Sequence, residues 1–235
     1  MPLRYKRALL KLSGGALTGG RDVSLDPGTL EYVADEILGA VAEGLELGVV
    51  IGGGNHFRGR QADEWKLDRV IVDYMGMLGT AMNGLALADV LDKKDAAPLV
   101  MSSFPMGELC GRYDRRRALE HIREGIVLFV GGTGRPFFTT DTTAALRACE
   151  MGAEVLLKAT DVDGIFDADP DEDSSAGLIP EMSYADVIKG NLPVMDATAA
   201  AMCLQNRLPM VIYNGTVAGN LLKIVKGERI GTLVG

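Results

Sequence analysis

The chain is poor in the residues that staple or metallate small domains. Its three cysteines, Cys110, Cys149 and Cys203, are odd in number, far apart and without a C-x-x-C pair. That pattern argues against a disulfide framework or a zinc site and points to a reducing, cytoplasmic home. Only two histidines are present, His56 and His121, and they stand apart, so a histidine metal cluster is not expected. Long apolar runs are also missing: the longest, "IVLFV" at 126–130, is strand-sized and far short of a membrane span. The opening "MPLRYKRALLKLS" has too short an apolar stretch for a signal peptide and no cleavage pattern, so a solvated lead-in to a first strand is expected. Cations are in deficit, 24 Lys and Arg against 32 Asp and Glu, for a net charge of −8. A nucleic-acid-binding surface needs the opposite balance. Local basic spots such as Arg115-Arg116-Arg117 remain compatible with a small anionic ligand.

What is plentiful is apolar residues, at 47%, and glycine, at 30. A chain of 235 residues with that apolar share suits one domain spanning 1–235 with a proper core. Strand-like runs occur at 7–13, 45–51, 97–103, 126–130, 153–159 and 208–213. Helical patterns fall between most of them, at 27–43, roughly 64–92, 114–124, 141–151, 196–206 and 217–226. The first helix has Asp26 as N-cap and Pro27 at its first position. Continuous apolar strands separated by helices imply an α/β fold with a mainly parallel sheet covered on both faces. One long polar excursion, 161–182, interrupts the alternation, and such excursions are more often functional or mobile than idle.

The glycines are not scattered. They follow the strands, in "GGALTGG", "GGGNHFRG", "GGTGRPFFTTD", "TDVDGIFDADPDED" and "NGT". In a parallel sheet these loops share one edge, where ligands of open α/β sheets bind. Gly52, Gly53 and Gly54 read as a close-approach turn for phosphate oxygens, with Arg58 adding a forked charge beside it. The competing reading is a tight strand-to-helix crossing that needs small residues. Lys11, near the end of the first strand and just before the glycines, reads either as a solvated edge charge or as a lysine that faces phosphate. In "GTGRPFFTTD" two hydroxyls, Thr139 and Thr140, either cap the following helix or bind a nucleotide, and Phe137 with Phe138 can wall a planar ring. Named motifs fail: "GNHFRGRQ" lacks the Lys-Ser/Thr of a P-loop, no G-x-G-x-x-G follows a strand, and the acidic excursion has its glycine misplaced for an EF-hand.

Taken in order, "LLKLSG", "VVIGGGNHFRG", "DYMGML…MNGLA", "GTGRPFFTTDT", "LLKATDVDGIFDADP", "MDATAAAMC" and "GTLV" resemble the bacterial uridylate (UMP) kinases of the amino acid kinase superfamily, nearly end to end. The resemblance implies a three-layer αβα sandwich assembling as a homohexamer, a trimer of dimers. It implies transfer of the γ-phosphoryl of ATP to UMP with Mg2+, in pyrimidine nucleotide biosynthesis, and UTP as a candidate feedback inhibitor. By motif, Lys11, Leu12, Ser13 and Gly14 face the ATP phosphates, with Gly54 and Arg58 beside them. Gly53, Asp73 and the stretch Thr133, Gly134, Arg135, Pro136, Phe137, Phe138, Thr139 and Thr140 hold UMP, Asp73 through ribose hydroxyls. Thr160, Phe166 and Asp169 line the adenosine site. Phosphoryl transfer to an acceptor that is already anionic needs positioning and charge neutralisation rather than a base. Lys11 is expected to supply that charge, with Asp141 or Asp196 orienting a lysine or the metal; the sequence does not choose between them, nor does it name the magnesium ligands.

Two positions depart from the family pattern: Gly15 replaces a glutamate and Arg135 an asparagine. Members activated by GTP tend to carry basic residues after "NGLA", where this chain has Ala88 and Asp92, so weak or absent GTP activation is expected. The rival readings are an acyl-phosphate-forming amino acid or carbamate kinase of the same fold, and a nucleotide-binding module without catalysis.

Overall fold

The six long strands form where the apolar runs lie: β1 (Arg7–Leu12), β2 (Glu46–Ile51), β3 (Pro98–Ser102), β5 (Ile126–Val130), β6 (Val155–Thr160) and β10 (Met210–Asn214). A computed structural model describes residues 2–57, 65–168, 175–190 and 194–235. Short strands extend the edges: β4 (Gly111–Arg112), β9 (Glu181–Met182) and β11 (Thr232–Val234). The sheet order is β4-β3-β5-β2-β1-β6-β10-β11-β9, parallel throughout except where β11 meets β10. The acidic excursion folds back on itself as an antiparallel pair, β7 (Ile165–Phe166) with β8 (Leu178–Ile179). These two- and three-residue strands are too short to show a period in the sequence.

The helices are α1 (Pro27–Val41), α2 (Arg69–Asp92), α3 (Arg115–His121), α4 (Thr140–Met151), α5 (Tyr184–Lys189), α6 (Ala197–Asn206) and α7 (Asn220–Val225). Helix α5 was not foreseen; Ser183 caps it within the polar stretch. Asp26 caps α1 as expected, accepting from the Thr29 amide at 2.9 Å, with Pro27 first in the helix. By length and composition α2 could cross a bilayer, which the short apolar runs did not suggest, yet Leu87 and Leu91 are buried in the core.

Strand residues alternate between two cores, the period-2 signature of a sheet covered on both faces. Leu10, Leu12, Val49, Ile51, Leu128 and Leu157 pack with α1, α2 and α7. Leu9, Val50, Val127, Phe129, Leu156 and Ile212 pack with α3 to α6. The result is a three-layer αβα sandwich. In this alternation Lys11 shares the face of Leu9, and Lys158 the face of Leu156. Both lysines therefore meet the layer that contains α4.

Candidate active site

Strands β1 and β6 are neighbours, and their register pairs Lys11 directly with Lys158. Like charges directly opposite on adjacent strands repel. The carboxylate of Asp141, from the first turn of α4, sits between them: Lys11 Nζ lies 2.9 Å from Oδ1 and Lys158 Nζ 2.7 Å from Oδ2. All three side chains are largely buried, at 11–14% exposed. Burial alone would raise the Asp141 carboxyl, but the two ammonium groups outweigh it and hold the group below its ordinary 3.8. Burial, helped by the charge of Lys11, pulls the Lys158 ammonium below its ordinary 10.5, against the pull of Asp141. One anion between two cations leaves a net charge of +1, which suits a polyphosphate.

The lysines open on a cleft of about 990 Å³ at the carboxyl ends of the strands, large enough for a nucleotide. Lys11, Leu12, Ser13, Gly14, Gly54 and Thr160 line it. A 3₁₀ turn at Gly15–Leu17 follows β1 directly, and Gly14 and Gly15 open it, where amides have no partner within the turn. Gly215 and Thr216 of the "NGT" loop also line it, together with Tyr32, which the sequence did not mark. Tyr32 donates its hydroxyl to the Gly215 carbonyl at 3.0 Å, which ties α1 to the loop after β10. The Thr160 hydroxyl lies 2.8 Å from the Val162 carbonyl. Phe166 stands outside the lining, on β7. Arg58 and Asp169 lie outside the described residues.

Two residues of the triple glycine sit where backbones approach closely. A Cβ on Gly53 would overlap the Gly76 carbonyl and come within 2.8 Å of the Thr80 nitrogen, both on α2. One on Gly52 would meet the Gly14 nitrogen at 2.9 Å, and the Gly52 amide is already bonded to the Leu12 carbonyl at 2.8 Å. Gly52 and Gly53 are thus glycines because backbones cross there, and the tight-crossing reading holds for both. Gly52 and Gly54 both line the cleft beside Lys11. Buried Asn83 pins this turn from α2, donating to the Gly52 carbonyl at 2.7 Å and to Asn55 Oδ1 at 2.8 Å.

The stretch 133–140 lies beside Asp73. Asp73 Oδ2 accepts the Phe137 amide at 2.8 Å, and Oδ1 pairs with Arg69 at 2.8 Å. Phe137 and Phe138 are 67% and 50% exposed, open to a ligand, and Phe137 sits at a φ of 69°. Thr133 Oγ1 accepts the Arg135 amide at 3.2 Å, with Gly134 at a φ of 78° and Pro136 half-buried. Thr139 caps α4, accepting the amides of Asp141 and Thr142 at 3.0 and 3.1 Å, while Thr140 reaches the cleft. Asp196 caps α6 and takes the hydroxyls of Thr139 at 2.5 Å and Thr142 at 3.0 Å. Between the two aspartates the geometry chooses: Asp141 holds the lysines, and Asp196 braces the start of α4.

This lysine–aspartate–lysine bridge, over a glycine-rich rim, is where comparison with known proteins becomes informative. A profile of the amino acid kinase family matches residues 6–214. The chain belongs to the amino acid kinase family. Among solved members and neighbours, a UMP kinase from Bacillus anthracis is 42% identical, with a TM-score of 0.95 over 98% of this chain and 96% of its own. A UMP kinase from Ureaplasma parvum is 32% identical, with a TM-score of 0.91 over 99% and 100%. A uridylate kinase from Archaeoglobus fulgidus is 27% identical, with a TM-score of 0.74 over 97% and 99%.

Proposed function

We propose that this protein is a UMP kinase, moving the γ-phosphoryl of ATP to UMP to give ADP and UDP. The observation that carries the reading is the Lys11–Asp141–Lys158 bridge at the head of α4, the helix whose first turn also ends the Asp73–Phe137 loop. One helix start thereby joins a phosphate-neutralising pair to a nucleotide-sized acceptor surface. The family and the near end-to-end likeness to two UMP kinases support the choice of acceptor. UMP attacks through an oxygen that is already anionic, so the protein's task is to align two phosphates and offset their charge. Lys11 and Lys158 do this, while Gly15, whose added Cβ would meet only the Ser13 hydroxyl at 3.9 Å, lets phosphate approach the backbone.

Mg2+ supplies further charge neutralisation on the transferred group. The oxygens of Asp141 face lysines and those of Asp196 face Thr139, Thr142 and an amide. These residues fit an ion that arrives on the phosphates of ATP, with waters completing its shell, better than an ion held by a protein cage. Asp73, Phe137 and Phe138 hold UMP, and Thr160 with Tyr32, Gly215 and Thr216 of the cleft holds adenosine. The chain works as one domain over 1–235, in the cytoplasm, where its free cysteines stay reduced.

A panel of acceptors in a coupled ADP-release assay tests the reading. UMP should give the highest turnover, GTP should change the rate little and UTP should lower it. Turnover with carbamate or an amino acid in place of UMP would overturn the assignment.

Assembly as a homohexamer, a trimer of dimers, has its own support. Ile71, Tyr74, Leu78 and Met82 recur at helical spacing along α2 and are 39–52% exposed, an apolar stripe that a neighbouring subunit would cover. Light scattering should give a hexamer mass, and Leu78→Glu should give a smaller species. A wild-type monomer would remove the proposal.

A further inference from the structure

The glycine loop that precedes the acceptor surface is braced from two sides. Gly131, Gly132 and Gly134 all have positive φ, at 77°, 56° and 78°, so the segment has the freedom of glycine and needs outside contacts to hold one shape. On one side Thr80 of α2 accepts the Gly131 amide at 2.7 Å and donates to the Met77 carbonyl at 2.6 Å. On the other, the Ser103 hydroxyl donates to the Gly132 carbonyl. That same hydroxyl accepts from Arg147 Nη2 at 2.8 Å.

Arg147 projects from α4 and is only 5% exposed. Its guanidinium stacks 3.7 Å from the centre of the Tyr113 ring and pairs through Nη1 with Glu150 at 2.5 Å. A buried cation is expensive on a helix whose other buried residues are alanine, threonine and methionine, and an apolar side chain would fill the space more cheaply. Its forked geometry explains its use. One arm meets the carboxylate, the flat face meets the ring, and the second arm reaches the serine. A charged donor polarises the Ser103 hydroxyl and strengthens its bond to Gly132.

We infer that Arg147, acting through Ser103, is a positioning residue that fixes the glycine loop and thereby sets affinity for the acceptor nucleotide. The inference rests on the reading of 133–140 as the acceptor surface. Ser103→Ala removes only the relay hydroxyl, and Arg147→Met removes the cation while keeping bulk. Each should raise KM for UMP about ten-fold, with KM for ATP and kcat at saturating UMP within about two-fold of wild type. Ser103→Thr, which restores a hydroxyl, should recover most of the affinity. Hydrogen exchange over residues 131–136, measured without nucleotide, should quicken in both variants. An unchanged KM for UMP in Ser103→Ala, or an equal rise in both KM values, overturns the inference, and this serine variant decides even if the arginine variant fails to fold. If wild-type protein releases no ADP with UMP, the functional reading fails on its own. Unchanged exchange at 131–136 in Ser103→Ala would then be the result that removes the relay.

Discussion

Lys11→Met and Lys158→Met should each lower kcat about a hundredfold or more, with the far-ultraviolet circular dichroism unchanged. The two lysines face each other across β1 and β6, and Asp141 forms an ion pair with each. Taking out one ammonium cuts the net charge of the bridge from +1 to zero. It leaves Asp141 ionised and still paired, so the fold survives while the phosphates lose their counter-charge. Because the two ammonium groups act on one transferred phosphoryl, the double variant should lose much less than the product of the single losses. Turnover within a few-fold of wild type in either variant would take that lysine out of the chemistry. Asp141→Asn is a poorer probe, since it leaves two buried cations side by side and strikes stability first.

A pH profile separates the two lysines. Burial first, then the charge of Lys11, lowers the Lys158 ammonium from 10.5 in the ligand-free protein. Its charged form, the one that helps the reaction, is present at neutral pH and is lost as pH rises. The alkaline limb of kcat/KM for ATP should therefore fall below the ordinary lysine value. In kcat the limb should move up, because bound phosphate favours the ammonium form. Lys158→Arg, whose guanidinium stays charged, should push the limb out of range. A limb that does not move in that variant belongs to another group.

Lys158 also marks where the sequence stopped being legible. Lys11 is conspicuous because glycines follow it at once, whereas Lys158 is followed by Ala159 and Thr160 in what looks like an ordinary strand. The shared "LLK" of "ALLKLSG" and "VLLKATD" was the available signal, but its meaning depends on β1 and β6 being neighbours in register. Strand order is a non-local property that periodicity does not carry. The same holds for Asp141 against Asp196: both stand at helix starts, and only the packing of α4 under β1 tells the lysine ligand from the brace. Local patterns did better. Apolar runs marked the six long strands, and caps such as Asp26 marked helix starts, because those signals reside within a few residues.

Gly53→Ala should destabilise the protein on the order of 3 kcal/mol, the upper part of the overpacking range. For a chain of this size that is a fall in Tm of roughly 6–12 °C. The added methyl has nowhere to go, because its neighbours are the Gly76 carbonyl and the Thr80 backbone, atoms fixed by the hydrogen bonds of α2. Relief requires α2 to move away from the turn, and that motion disturbs more than the turn. Thr80 holds the Gly131 amide, and Asn83, one turn further along, holds the Gly52 carbonyl. Both substrate sides of the cleft should therefore loosen together, raising KM for ATP and for UMP in the protein that remains folded. Gly39→Ala on the exposed part of α1 provides the contrast: nothing lies within 4 Å of its added methyl, and helix propensity should make it neutral or slightly stabilising. If Gly53 were a glycine only to admit a phosphate, its alanine variant would melt like wild type and lose affinity for nucleotide alone. Thermal denaturation of the two variants, read beside their KM values, decides between a backbone crossing and a ligand seat.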